Sequence, residues 1–193
     1  MRLPRAEHSA RPWRIHALTR DFRLEDVWEI PGEFAPGDLS ALVELFAASD
    51  PSQRGPRVVR WLFSIRWWLG SRFGWDRPDS GIGTRVPTLR DRLPEDLRDA
   101  ASGPDFDALP FRSLYLLDDE YAAEIANRTV HAVMHLGLVP NGPGRSRAEM
   151  AVLVKPNGAV GSAYMTAIKP FRHLLVYPSM LRDIERSWRD RPR

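Results

Sequence analysis

The run HAVMH, residues 131–135, sets two histidines four apart, the spacing at which one helix face could hold a zinc ion. The zinc-protease form of that motif needs a glutamate as general base after the first histidine, and Ala132 stands there. The surrounding TVHAVMHLGLV is β-branched and alternating, so it reads as a strand, on which four residues span about 13 Å. Zinc ligands sit only about 2 Å from the ion, so these histidines cannot easily share one. His131 is expected to pair with Glu124 across a hairpin. Asp118, Asp119 and Glu120 form an acidic knot with too few oxygens for a hard cation and with the chemistry of a turn. Asp118 falls on the apolar side of the register given below and is kept as a candidate acid or base. Tyr121 and Tyr164 are the phenols that could move protons with it. Lys169, Arg172 and His173 are expected on a solvated helix face. SGIGT, NGPG and PNG make no complete phosphate loop, and G-x-S-x-G is absent. Without cysteine there are no disulfides, thiolate metal sites or cysteine nucleophile.

These residues need elements to position them. Residues 1–22 read as an extended arm, and LEDVWEIPG as a strand with Leu24, Asp26, Trp28 and Ile30 on one face. DLSALVELFAASD reads as a short helix ending before Pro51. VRWLFSIRWWLGSRFGW, residues 59–75, continues as a second helix. Val58, Trp61, Leu62, Ile65, Trp68, Leu69 and Phe73 make its apolar face, while Phe63 and Trp67 stand off it. Arg72 falls inside that face at the last turn, either snorkelling or anchoring a ligand carboxylate or enolate. Residues 76–111 form a long connection, with a turn or two of helix near TLRDRL and EDLRDA.

LYLL, DDEYAAEIA, TVHAVMHLGLV and RAEMAVLV then read as four strands of an antiparallel meander. With two-residue turns at Asp119-Glu120 and Asn127-Arg128, Leu116 faces Ala123 and Ala123 neighbours Ala132. One sheet face collects Leu114, Leu116, Tyr121, Ala123, Ile125, Val130, Ala132, Met134 and Leu136. The other carries Tyr115, Glu124, His131, His135, Glu149 and Lys155, a pattern expected of a sheet that is wet on that side. The C-terminal stretch is helical by period, with Tyr164, Ile168, Phe171 and Leu175 on one face and Leu181, Ile184 and Trp188 on another. Pro170 and Pro178 predict a kink or break between them.

The runs LYLLDDEYAAEIANRTVHAVMHLGLVP, AVLVKPNG and AYMTAIKPFRHLLVYP resemble an uncharacterised bacterial family, the domain of unknown function DUF2867. That family is similar to the START-like helix-grip superfamily, in which a curved antiparallel sheet wraps a long C-terminal helix around an apolar cavity. The resemblance implies a carrier of hydrophobic molecules, or a cyclase of the polyketide type. The fold class expected is α+β, helix-grip, with two helices inserted after the first strand and a single domain over residues 23–193.

The 193 residues suit one buried core, and a net charge of +3 does not by itself mark a nucleic-acid binder. The first twenty residues lack a signal peptide's apolar core, and no apolar run reaches the ~20 residues of a membrane span. The expectation is therefore a cytoplasmic protein that binds a hydrophobic small molecule, with no metal, cofactor or nucleic acid. Ala123 and Ala132 leave room for the ligand, walled by Trp61, Trp68, Tyr121, Met134, Tyr164, Ile168 and Phe171, with Arg72 at its mouth. The alternatives are a cyclase, dehydratase or isomerase in the same cavity, or a homodimer, partner or membrane contact through Phe63 and Trp67.

Overall fold

The computed structural model describes residues 1–50, Ser64, Ile82, Gly83 and 86–191, less the side chains of Ala159, Val160 and Tyr164. Of the tryptophan-rich helix only Ser64 is described, helical and exposed. Trp61, Phe63, Trp67, Trp68 and Arg72 lie outside the described residues.

Five strands, β1 (Arg23–Phe34), β2 (Arg112–Leu116), β3 (Glu120–Ala126), β4 (Val130–Pro140) and β5 (Ser146–Pro156), form one antiparallel sheet in the order β1-β5-β4-β3-β2. Three hairpins join β2 to β5, and β1 closes onto β5 at the other edge. Apart from the helix that holds Ser64, the helices among the described residues are α1 (Arg5–Ser9), α2 (Ile15–Leu18), α3 (Leu39–Ala47), α4 (Glu95–Arg98), α5 (Gly158–Phe171) and α6 (Tyr177–Arg189). A 3₁₀ turn over Leu89–Arg92 precedes α4, close to where the sequence suggested a turn or two.

One face of the sheet holds α3 and α6. Ile30, Tyr121, Ala123, Met134, Leu136, Leu138 and Met150 pack there against Leu42, Phe46, Tyr177, Leu181, Ile184 and Trp188. Each large side chain so buried contributes roughly 1.5–3 kcal/mol over an exposed one. A sheet gripping its C-terminal helix in this way is the expected α+β helix-grip.

Each of the two hairpin turns is displaced by one residue from its expected place. Leu116 pairs with Tyr121 and Ala126 with His131. Leu117 N–H donates to Glu120 O at 2.8 Å and Asn127 N–H to Val130 O at 2.9 Å, so the turns are Asp118-Asp119 and Arg128-Thr129. The Asn127 side chain organises the second by accepting from the N–H groups of Thr129 and Val130, at 2.9 and 3.1 Å. A turn displaced by one residue changes the pairing register by two, which preserves the pleat parity, so nearly every side chain keeps its assigned face. Leu114 is the exception, because an irregularity between Ser113 and Tyr115 sends it to the face of Tyr115.

That second face is not wet. Glu124, His131, His135 and Glu149 are buried. Trp13, Ile15 and Leu18 from the N-terminal segment, with Leu89, Leu93 and Leu97, cover it. The N-terminal arm is extended only at its start, where Leu3 N–H donates to Val27 O at 2.9 Å, and then forms α1 and α2. Gly137 in β4 makes room for this cover, since a Cβ there would meet the Trp13 ring at 2.8 Å.

The C-terminal helix does not break at its prolines. A π turn over Arg172–Val176 joins α5 directly to α6, with Pro178 in the first turn of α6. Pro178 cannot donate to the carbonyl four residues back, and the wider turn absorbs that loss. Gly161, Met165, Ile168 and Arg172 form the inward stripe before the turn; Tyr177, Leu181, Ile184 and Trp188 form it afterwards. The step from 172 to 177 is five residues, so the change of face seen in the sequence is a slip of phase.

Candidate functional site

β1 carries an irregularity between Leu24 and Asp26. It turns Leu24 to the N-terminal cover and leaves Asp26, Trp28 and Ile30 on the helix side of the sheet. Asp26 is thus a fully buried carboxylate opposite Val152 on an otherwise apolar face. Burying a carboxylate costs several kcal/mol unless it is paired, and the π turn supplies partners. Arg172 Nη2 donates to Asp26 Oδ2 at 3.1 Å, and His173 Nε2 donates to Oδ1. Arg2 Nη2 stands 3.9 Å from Oδ1 on the outer side. Trp28 and Tyr177 close the group, their rings 5.7 Å apart, with Trp28 6.3 Å from the His173 ring. Burial pushes the Tyr177 phenol up, against the opposing pull of the Arg172 guanidinium, so it stays a neutral donor.

Not every donor here is used. Arg172 Nε and Trp28 Nε1 are both buried without a hydrogen-bond partner among the described residues. A buried unpaired donor costs about 1–3 kcal/mol, and here one belongs to the residue that pairs with Asp26 and the other to Trp28, two residues along β1 from it. His173 Nδ1 has no partner among the described residues, on a side chain 16% exposed. Since the carboxylate only accepts, Nε2 carries the proton of the neutral ring and Nδ1 keeps a free lone pair.

The neighbouring sheet surface is less filled than the α3–α6 end. Ile125, Val130, Ala132 and Val152 are half-buried, as is Ile168 on α5. α5 is seated over this part by Gly161, where a Cβ would fall 2.0 Å from Thr129 O.

The family model for a protein of unknown function, DUF2867, matches residues 18–179. The chain belongs to the DUF2867 family. No individually curated protein matches the sequence. Among solved structures, norcoclaurine synthase from Thalictrum flavum aligns with a TM-score of 0.36 and 10% identity, over 94% of this chain and 95% of that one. No helix among the described residues is long and apolar enough to cross a membrane.

In this DUF2867 chain the residues singled out from sequence are scattered. Tyr121, Ala123 and Met134 are packed into the core with α3 and α6, so they line no open space. The Tyr121 hydroxyl donates to Pro104 O at 2.9 Å, and burial pushes its pKa up to about 12. Asp118 is exposed in the two-residue β2–β3 turn, outside the paired strands. Ala132 and Ile168 are half-buried beside the Asp26 group, while Phe171 is 47% exposed. Tyr164 belongs to α5, its side chain outside the described residues. Arg172 and His173 do not face solvent, because the π turn rotates them onto the sheet. Asp26 was the missed residue. Its signal was a carboxylate at a strand position whose neighbours two and four residues on, Trp28 and Ile30, are apolar.

A second polar cluster lies under the N-terminal cover. Glu120 Oε2 accepts from Arg14 N–H at 2.8 Å, and Oε1 accepts from Ile15 N–H at 2.9 Å and the Tyr115 hydroxyl at 2.5 Å. His135 Nε2 lies 3.2 Å from Oε1, poorly aligned. Burial opposes ionisation of Glu120, but His135, Tyr115 and the Arg14 N–H together hold its carboxyl at about 2. Glu124 works alike. It accepts from His131 at 2.7 Å, from the Thr88 hydroxyl, and from Leu89 N–H at 3.1 Å. The His131–Glu124 pair is therefore present as expected, though diagonal rather than directly opposite. Both carboxylates receive the first N–H groups of covering segments and so act as staples.

A cleft of about 790 Å³ lies at the other end of β1, lined by Gly32, Phe34, Asp38, Asn141, Arg145 and Arg191 among others. It touches none of the Asp26 group. Its lining mixes charges and carries no buried orphan donor, so the chemistry favours the π turn.

Proposed function

We propose that this chain binds an apolar small molecule on the helix side of the sheet, beside the π turn. The ligand's body lies against Ile125, Ala132, Val152 and Ile168, and an oxygen of the ligand meets Arg172 and Trp28. The observation that carries this reading is the pair of buried donors without a partner among the described residues, Arg172 Nε and Trp28 Nε1, next to the buried Asp26 in the pairing and along β1. Half-buried apolar walls with a few convergent polar groups are the usual make-up of a small-molecule site. The site sits beside the expected cavity, since Tyr121, Ala123 and Met134 are packed against α3 and α6. A ligand acceptor would satisfy donors that the fold leaves idle. A cytoplasmic carrier fits this site, as does a cofactor-independent enzyme.

The test is native mass spectrometry of the freshly purified chain, before and after incubation with β-tetralone and with anilinonaphthalene sulfonate. Both probes join an apolar bicycle to an acceptor oxygen. We expect one molecule bound per chain, with the two probes competing. A chain that carries no copurified molecule and stays at its apo mass with both probes contradicts the reading.

A further inference from the structure

We infer that His173 is a general base, and that Arg172 and Trp28 hold the oxygen on which negative charge then forms. The ligand class is then an apolar ketone with an acidic C–H bond beside its carbonyl. This inference rests on the small-molecule reading of the same site.

The geometry separates the roles. A base must present a lone pair and keep a fixed tautomer. Asp26 fixes both by accepting the hydrogen bond of His173 Nε2–H, leaving Nδ1 without a partner among the described residues on a side chain that is 16% exposed. Asp26 is fully buried and also bound by Arg172, so it is a positioning residue that supports positive charge on the imidazole. The charge that develops on the substrate needs donors already in place, and Arg172 Nε and Trp28 Nε1 are buried and idle.

The step balances without a further reactant. His173 Nδ1 takes a proton from the carbon beside the carbonyl. The C–H electron pair becomes a new C=C bond, and the carbonyl π pair moves to oxygen, facing Arg172 and Trp28. Where a C=C bond adjoins that carbon, the enolate extends into a dienolate and the imidazolium returns the proton to its far carbon, giving the conjugated isomer; otherwise the enolate attacks a second carbonyl of the same molecule and closes a ring. In the second case the new alkoxide takes the proton.

The experiment follows hydrogen–deuterium exchange beside the carbonyl of β-tetralone in D₂O by proton NMR, with saturation transfer on the same sample reporting binding. Wild type should exceed the buffer rate by on the order of a hundredfold. His173→Gln should fall to the buffer rate while still binding. Asp26→Asn should shift the acid limb of the pH–rate profile, which a merely structural role would leave in place. Lys169→Ala, exposed one turn away, should match wild type. Binding by wild type without exchange overturns the base, as does exchange undiminished in His173→Gln, and either leaves the binding reading standing. Absence of saturation transfer to wild type overturns the binding reading itself.

Discussion

His8 offers the sharpest quantitative prediction. It is fully buried on the N-terminal cover, its Nε2 3.2 Å from His135 Nδ1, with His16 and Trp13 ringing it. Burial first, then repulsion from His135 and His16, lowers its pKa from 6.5 to about 3, only partly offset by Glu120. The unfolded chain therefore takes up a proton near pH 6.5 that the folded chain refuses until about pH 3. Stability is lost as the pH falls through that window. For these two values, linkage gives a loss of about 2 kcal/mol between about pH 7 and pH 5. In a domain of this size that is a fall in Tm of about 4–8 °C. Glu120 does not confuse the window, because its folded value of about 2 lies below its ordinary 4.5 and it withdraws stability only at lower pH. Burial raises Glu149, a shift of opposite sign, and the difference between wild type and a His8 variant removes it. Urea unfolding of wild type and His8→Phe at both pH values is the assay. His8→Phe should lose about 2 kcal/mol less than wild type on acidification. The same pH dependence in both proteins would refute the buried, neutral His8.

Glu120→Gln should free the start of α2 and raise amide exchange over residues 13–18, at a cost of about 1–3 kcal/mol read by urea unfolding. Gly161→Ala should lower stability by about 1–3 kcal/mol, because its Cβ would fall 2.0 Å from Thr129 O. Ile184→Ala, at a position 2% exposed between α6 and the sheet, should cost about 2–5 kcal/mol in the same assay. Asp26→Ala leaves Arg172 and His173 without their carboxylate and should cost about 3–5 kcal/mol.

The sheet was legible because a strand's side-chain period survives an error of two residues. The turns at 117–120 and 127–130 were misjudged, yet Tyr121, Ala123 and Met134 still fell on the correct face. The cover on the second face was harder to see. Its apolar residues, Trp13, Ile15 and Leu18, stand among arginines and histidines. Leu89, Leu93 and Leu97 recur every four residues, and that period was the available signal. The candidate site was hidden by the π turn. A uniform helical wheel turns His173 toward solvent, whereas one extra residue in the turn sets it over Asp26. The stripes ending at Arg172 and beginning at Tyr177 held that information, since a gap of five between inward positions is what a π turn produces.

The central claim, that the idle donors around Asp26 receive a ligand oxygen, is tested most directly by two-dimensional proton–nitrogen NMR. The side-chain Nε–H of Arg172 and the indole N–H of Trp28 are followed during a β-tetralone titration. The account predicts that both signals move together and saturate with the same affinity, while the indole of Trp13, under the N-terminal cover, stays in place. Saturable binding that leaves both donors unmoved and instead shifts Arg145 and Arg191 in the far cleft would contradict it.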